Sequence, residues 1–93
     1  METKYIVKIT SQFKKDYKKI QKRGKNMDEL KTVIGKLANG IELEERYHDH
    51  ELTGNWKGHR ECHIQPDWLL IYRLDDDVLV LTLTRTGSHS DLF

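Results

Sequence analysis

Five histidines occur in this 93-residue chain, and four of them fall between positions 48 and 63. Histidine titrates near neutrality, at about pH 6.5 when unperturbed, so it can give or take a proton under physiological conditions. Cleaving an RNA phosphodiester without a metal needs a base for the 2′-OH and an acid for the leaving 5′-oxygen. It also needs cations for the charge that builds on phosphorus. His50, His63 and His89 are candidates for the proton steps, with Asp67 beside them. Arg85 suits the charge, because a guanidinium is permanently ionised and forked to match phosphate oxygens. Trp68 and Phe93 are candidates for stacking a splayed base, as single-stranded recognition requires.

Metal binding is the competing use of so many histidines. His48 and His50 form an H-x-H pair, and His59-x-Glu61-x-His63 superficially looks like a zinc motif. The H-E-x-x-H pattern needs a helix and a Glu directly after the first His, and neither is present. On a strand, His59 and His63 lie about 13 Å apart, too far to share an ion. The chain has one cysteine and hence no further thiolate ligands. The expectation is no metal and no cofactor, with His48 and His59 as surface residues. Cys62 reads as a small core hydrophobe.

The elements that must hold these residues centre on 54–73, GNWKGHRECHIQPDWLLIYR. Two glycines around Trp56 mark a turn entering a strand. From His59 to Ile64, His59, Glu61 and His63 alternate with Arg60, Cys62 and Ile64. Gln65-Pro66-Asp67 interrupts the strand, since proline cannot donate to a ladder and aspartate favours turns. Trp68 to Leu74 is almost wholly apolar, as expected of a strand covered on both faces. The resulting hairpin places His63, Asp67 and Trp68 at one end of a sheet.

Upstream, Tyr5 to Ile9 reads as a first strand. Ser11 caps a helix running to Gly24, with Phe13, Tyr17 and Ile20 as its inner stripe. A second helix starts at Asn26 with a capping box to Glu29, carries Met27, Leu30, Val33, Ile34 and Leu37 inward, and ends at Asn39-Gly40. Residues 41–53 read as a short turn or helix and a loop. Downstream, Asp75-Asp76-Asp77 forms a turn, Val78 to Arg85 a last strand, and Thr86 to Phe93 a polar tail. The expected fold is α+β: one domain over 1–93, with a strand and helical hairpin packed on one face of a twisted, mainly antiparallel sheet and the polar site on the other.

Composition sets limits on function. With 37% hydrophobic and 33% charged residues and no long apolar run, the chain contains nothing that would span a membrane as a helix. Met1 and Glu2 lead into a strand rather than a signal peptide, which points to the cytoplasm, as does the lone cysteine. The net charge of +1 hides an asymmetry: residues 1–36 hold eleven Lys/Arg against four Asp/Glu, and residues 37–93 hold five against eleven. On the first helix, Lys14, Lys15, Lys18, Lys19, Lys22 and Arg23 are interrupted only by Asp16. Such a face is ordinarily a solvated surface, but this much uncompensated repulsion at i,i+4 spacing suits a partner rich in phosphate.

A resemblance joins these observations. His50-x-Leu52-x-Gly54-x-Trp56-x-Gly58 is followed by Arg60-x-x-His63-Ile64-x-Pro66-Asp67-Trp68-Leu69-Leu70-Ile71-Tyr72. With the ending Arg85-Thr86-Gly87-Ser88-His89-x-x-Leu92-Phe93, the chain resembles the RelE/ParE toxin superfamily along its whole length, and within it the YafQ branch. The resemblance implies a toxin of a type II toxin–antitoxin pair, a ribosome-dependent endoribonuclease that cuts mRNA. It implies a cognate DinJ-like antitoxin, a heterotetrameric complex, and operator DNA bound only through that complex. By position it carries catalytic roles to His50, His63, Asp67, Arg85 and His89 and substrate contacts to Trp68 and Phe93. It leaves open which histidine is base and which is acid. ParE relatives inhibit DNA gyrase by binding alone, but a gyrase binder has no need of three histidines and an aspartate at one end of a sheet. A catalytically inactive chain that only pairs with an antitoxin is the third reading.

Overall fold

The computed structural model describes residues 3–93, and the expected absence of a signal peptide at Met1 and Glu2 lies outside them. Five strands form one sheet: β1 (Ile6–Ile9), β2 (His50–Glu51), β3 (Arg60–Gln65), β4 (Trp68–Asp75) and β5 (Val80–Gly87). Their spatial order is β1-β5-β4-β3-β2, with β1 parallel to β5 and every other pair antiparallel. The α+β fold and its meander are as expected, while β2 emerges from what the sequence alone reads as loop. Two residues are too few for a periodic signal, and β2 exists because His50 and Glu51 pair with Glu61 and Arg60.

Helices α1 (Ser11–Lys22) and α2 (Met27–Ala38) follow β1. The cap of α1 is Thr10 rather than Ser11, its hydroxyl accepting from the Phe13 amide at 2.9 Å. Asn26 caps α2 as expected, accepting from the Asp28 amide, but Glu29 turns away to accept from Gln65 Nε2 at 3.1 Å. Both helices cover one face of the sheet, burying Phe13, Ile20, Leu30, Val33 and Leu37 against Cys62, Leu70, Tyr72, Leu81 and Leu83. Cys62 is wholly buried, as the alternation of β3 predicts, and burial pushes its thiol pKa up, so it stays a neutral core group.

The opposite face carries a smaller apolar floor: Leu69 and Ile71 of β4 under Leu52, Trp56 and Leu92. Leu92 belongs to a third helix, α3 (His89–Leu92), where a polar tail is expected from sequence. Four residues cannot hold a helix by themselves. Here Ser88 and Asp91 form a capping box that starts it, and Leu92 packs on the sheet to finish it. Among the described residues no helix is long and apolar enough to cross a membrane.

Two β-bulges shape the end of the sheet where β3, β4 and β5 meet. In β3 the pairing passes from His63↔Leu69 to Gln65↔Trp68, leaving Ile64 extra. In β5 it passes from Leu83↔Tyr72 to Arg85↔Ile71, leaving Thr84 extra. A bulge turns later side chains to the other face. Strict alternation would put Arg85 with Leu81 and Leu83 in the helix-covered core, whereas the bulge sets it on the face shared with Ile71.

Candidate active site

On that second face, three imidazoles from three elements converge. His50 comes from β2, His63 from β3 and His89 from α3. The ring of His63 is central, 6.4 Å from His50 and 6.1 Å from His89 between centroids. His48 is exposed, as expected of a surface residue, and its ring adjoins the cluster, 5.7 Å from His63 in an edge-on arrangement. It follows the 3-10 turn Glu45–Tyr47 and sits in the left-handed region at φ 48°, which swings the chain into β2. The adjoining Asp49 is locked from beneath by Arg60, at 2.6 Å, and by the Tyr72 hydroxyl.

Each of the three imidazoles is anchored through the same ring atom. His50 Nδ1 lies 2.7 Å from the His48 carbonyl, His63 Nδ1 3.3 Å from the Pro66 carbonyl, and His89 Nδ1 3.3 Å from Asp67 Oδ1. A carbonyl or carboxylate can only accept, so Nδ1 must carry the proton in each case. That selects the tautomer and leaves Nε2 free in all three rings for proton transfer.

The sequence reading passes over one carboxylate that belongs to this group. Glu61 is 5% exposed, and its Oε1 lies 3.6 Å from the Nε2 atoms of both His50 and His63. Pairing opposes Glu61 to His50, and alternation sets it on the His63 face. The signal was present in the His59-x-Glu61-x-His63 spacing, but the burial that makes a carboxylate consequential was not. A buried carboxylate thus stands between two imidazoles, close to the ring nitrogen of each that is turned to the site.

Asp67 occupies the two-residue turn of the hairpin and accepts from the His89 amide at 3.1 Å as well as from its ring. These bonds, the backbone one foremost, hold its carboxyl below the usual range, so it is ionised at neutral pH. Phe93 is 60% exposed and packs against His89 and Trp56, with centroids 6.1 and 6.4 Å away. Trp56, half-buried, is thus the tryptophan at the rim of the cluster.

Two expectations need correction. Trp68 has no face open to a base: it is 1% exposed, in the core under the helices, and its Nε1 donates to Thr86 Oγ1 at 3.0 Å. The apolar run that follows it is buried on both sides, and Trp68 heads that run as a core residue. The second correction concerns the cationic helix. Asp16 is not on the outer face but buried, and Lys19 and Arg23 are not uncompensated. Arg23 grips Asp91 at 2.6 and 2.9 Å, and Lys19 reaches the same carboxylate at 3.2 Å. Lys14, Lys15, Lys18 and Lys22 remain exposed.

Arg85 is held by Asp16, which accepts from its Nε at 2.9 Å and its Nη2 at 3.1 Å. Burial alone would raise the Asp16 pKa, but Arg85, Gln12 and the Thr86 amide together leave it lowered. The guanidinium therefore stands rigidly beyond the stretch of β5 that β1 covers, with Nη1 outside the fork. Among the described residues no group of three or more His, Cys, Asp or Glu side chains is arranged to hold a metal ion.

Comparison with known proteins places this arrangement in context. A family model described as bacterial toxin of type II toxin–antitoxin system, YafQ, matches residues 5–93. The mRNA interferase toxin YafQ of Escherichia coli is 44% identical over 88 residues, covering 94% of each chain. Among solved structures, the toxin in the E. coli DinJ–YafQ toxin–antitoxin complex superposes with a TM-score of 0.89 at 43% identity, over 97% of this chain and 98% of that one. A metal-bound toxin from Helicobacter pylori superposes at 0.88 with 41% identity over the whole of both chains.

Proposed function

The chain belongs to the YafQ family of toxins of bacterial type II toxin–antitoxin systems, and from that premise we propose that it is a ribosome-dependent endoribonuclease cutting mRNA by acid–base chemistry. The observation that carries the chemistry is the common anchoring of His50, His63 and His89 through Nδ1, which leaves the Nε2 atom of each ring for proton transfer. His50 approaches from the β2 edge and His89 from α3, with His63 between them. Two of the three rings share the base and acid steps, one accepting the 2′-OH proton while the other gives one to the 5′-oxygen. Glu61 places a buried negative charge beside the Nε2 atoms of His50 and His63. Asp67 holds the tautomer and direction of His89, and Arg85 offers its fixed charge to the phosphorane.

Substrate contacts fall to Phe93 at the rim, and Lys14, Lys15, Lys18 and Lys22 dock on ribosomal RNA through phosphates. The E. coli relative was crystallised with DinJ, and a cognate antitoxin of that kind silences this chain, in a heterotetramer that alone carries it to operator DNA. The site of action is the cytoplasm, where translating ribosomes are.

Expression without the antitoxin, followed by mapping of mRNA 5′ ends, tests the activity: in-frame cuts that require translation support it, and intact mRNA refutes it. Toxin stripped with chelator and returned to ribosomes in their normal magnesium buffer tests the mechanism. Full activity is expected. A metal-bound relative makes the opposite outcome concrete, since a transition metal at the Nε2 atoms would occupy the lone pairs that acid–base work needs. Dead stripped toxin that revives with one equivalent of such a metal would make the histidines ligands.

A further inference from the structure

His89 and Phe93 both ride on α3, a single helical turn at the end of the chain. A helix so short has no stability of its own, so contacts from elsewhere decide where its side chains point. Leu92 and the Asp67–His89 bonds supply some of these. The densest set converges on Asp91. Its carboxylate accepts from two Arg23 nitrogens, from Lys19 Nζ and from the Ser88 amide at 2.9 Å, while its amide donates to Ser88 Oγ at 3.2 Å. Arg23 and the Ser88 amide hold its carboxyl far below the usual range, so it stays charged at neutral pH.

The backbone is shaped around this carboxylate. A Cβ at Gly87 would lie 2.9 Å from Asp91 Oδ2 and Cβ, in a residue at φ 158°, so the glycine leaves room for the clamp. The clamp also joins distant parts of the chain, because Lys19 in the last turn of α1 and its cap residue Arg23 lie 72 and 68 residues away in sequence.

We propose that Asp91 is a positioning residue of the site: by tying α3 to Arg23 and Lys19 of α1, it fixes His89 beside His63 and Phe93 at the rim. Two cations of the basic helix are thereby assigned to the catalytic geometry instead of to phosphate. The inference rests on the acid–base reading of His89.

Removing the clamp leaves the rest of the fold standing, because α3 adds only Leu92 to the buried core. In Asp91→Ala, the backbone amides of His89 to Phe93 should lose rigidity in heteronuclear NOE measurements while those of β3 and β4 keep it. Misplacing a catalytic group by about 1 Å is worth about 100-fold in rate, so kcat should fall by roughly that factor, and KM should rise as Phe93 loosens with His89. In a His89→Ala background the same substitution should add almost nothing to the loss in kcat, because Asp91 acts on kcat through His89. Arg23→Gln combined with Lys19→Gln removes the clamp from its exposed side and should reproduce the loosening of α3 should Asp91→Ala prove insoluble. Rigid 89–93 amides in both variants overturn the proposal. So does a further 100-fold loss in the His89→Ala background, which would mark Asp91 as a general support of the fold. Were the wild-type chain unable to cleave mRNA, the reading of function would fail, and the relaxation data would still decide whether Asp91 orders α3.

Discussion

Trp68 is where a core role and a substrate role part most sharply. Its indole is 1% exposed, packed under both helices, and its Nε1 donates to a Thr86 hydroxyl that itself donates to the Leu69 carbonyl at 2.7 Å. Truncating a buried Trp to Ala costs about 3–5 kcal/mol. A domain of this length holds roughly 5–14 kcal/mol in total, at 0.05–0.15 per residue. Trp68→Ala should therefore remove a large share of the stability, and its remaining fold would be hard to assay. Trp68→Phe is the more informative change. It loses one net hydrogen bond, about 1 kcal/mol, and the volume of half an indole, for a total of about 2–3 kcal/mol. At about 4–8 °C per kcal/mol, the melting temperature should drop by at least about 8 °C. Urea unfolding followed by circular dichroism gives the free energy, and kinetics well below the transition give kcat and KM on folded protein. KM should stay at its wild-type value, since no face of Trp68 meets RNA. A Trp68→Phe protein with unchanged urea midpoint and a tenfold higher KM would refute the burial argument and restore the stacking role.

Further outcomes follow from the site and its supports. His63→Ala and His89→Ala should each cost about 10²–10⁴-fold in cleavage rate, the usual contribution of a general acid or base, with melting nearly unchanged. Glu61→Gln keeps the shape but removes the charge facing His50 and His63, so the cleavage rate should fall with melting nearly unchanged; an unchanged rate would exclude Glu61 from the electrostatics of the site. Reversing Lys14, Lys15 and Lys18 should weaken ribosome binding and flatten its salt dependence, while leaving thermal stability within the small range typical of exposed charges. The Asp67 and Asp91 carboxyls both sit below their ordinary values, so their contribution to α3 is present above the normal carboxylate range and lost as pH falls through the lowered values. Amide exchange at 89–93 should therefore stay slow at pH 6 and quicken only under strongly acidic conditions.

Much of this molecule is legible in the order of its residues, because local periodicity carries it. The stripes of α1 and α2, the alternation of β3 that buries Cys62 and turns His63 outward, and the Pro66-Asp67 break all rest on neighbours within a few positions. The motif blocks add the family and the histidine set. Tertiary structure alone decided the remainder, and each case has the same origin. Periodicity states which residues share a side but not which side is covered, so Trp68 reads equally as a core group or a platform until α1 and α2 close over it. One extra residue at Thr84 reverses the face of Arg85, and nothing local marks that position as a bulge. The partners of Arg85, Lys19 and Arg23 lie 68 to 72 residues away, at a distance where spacing carries no information. Glu61 looks like any strand carboxylate until pairing with β2 sets His50 against it and takes it out of water. A four-residue helix has no periodic signature at all, and α3 is ordered by what it touches.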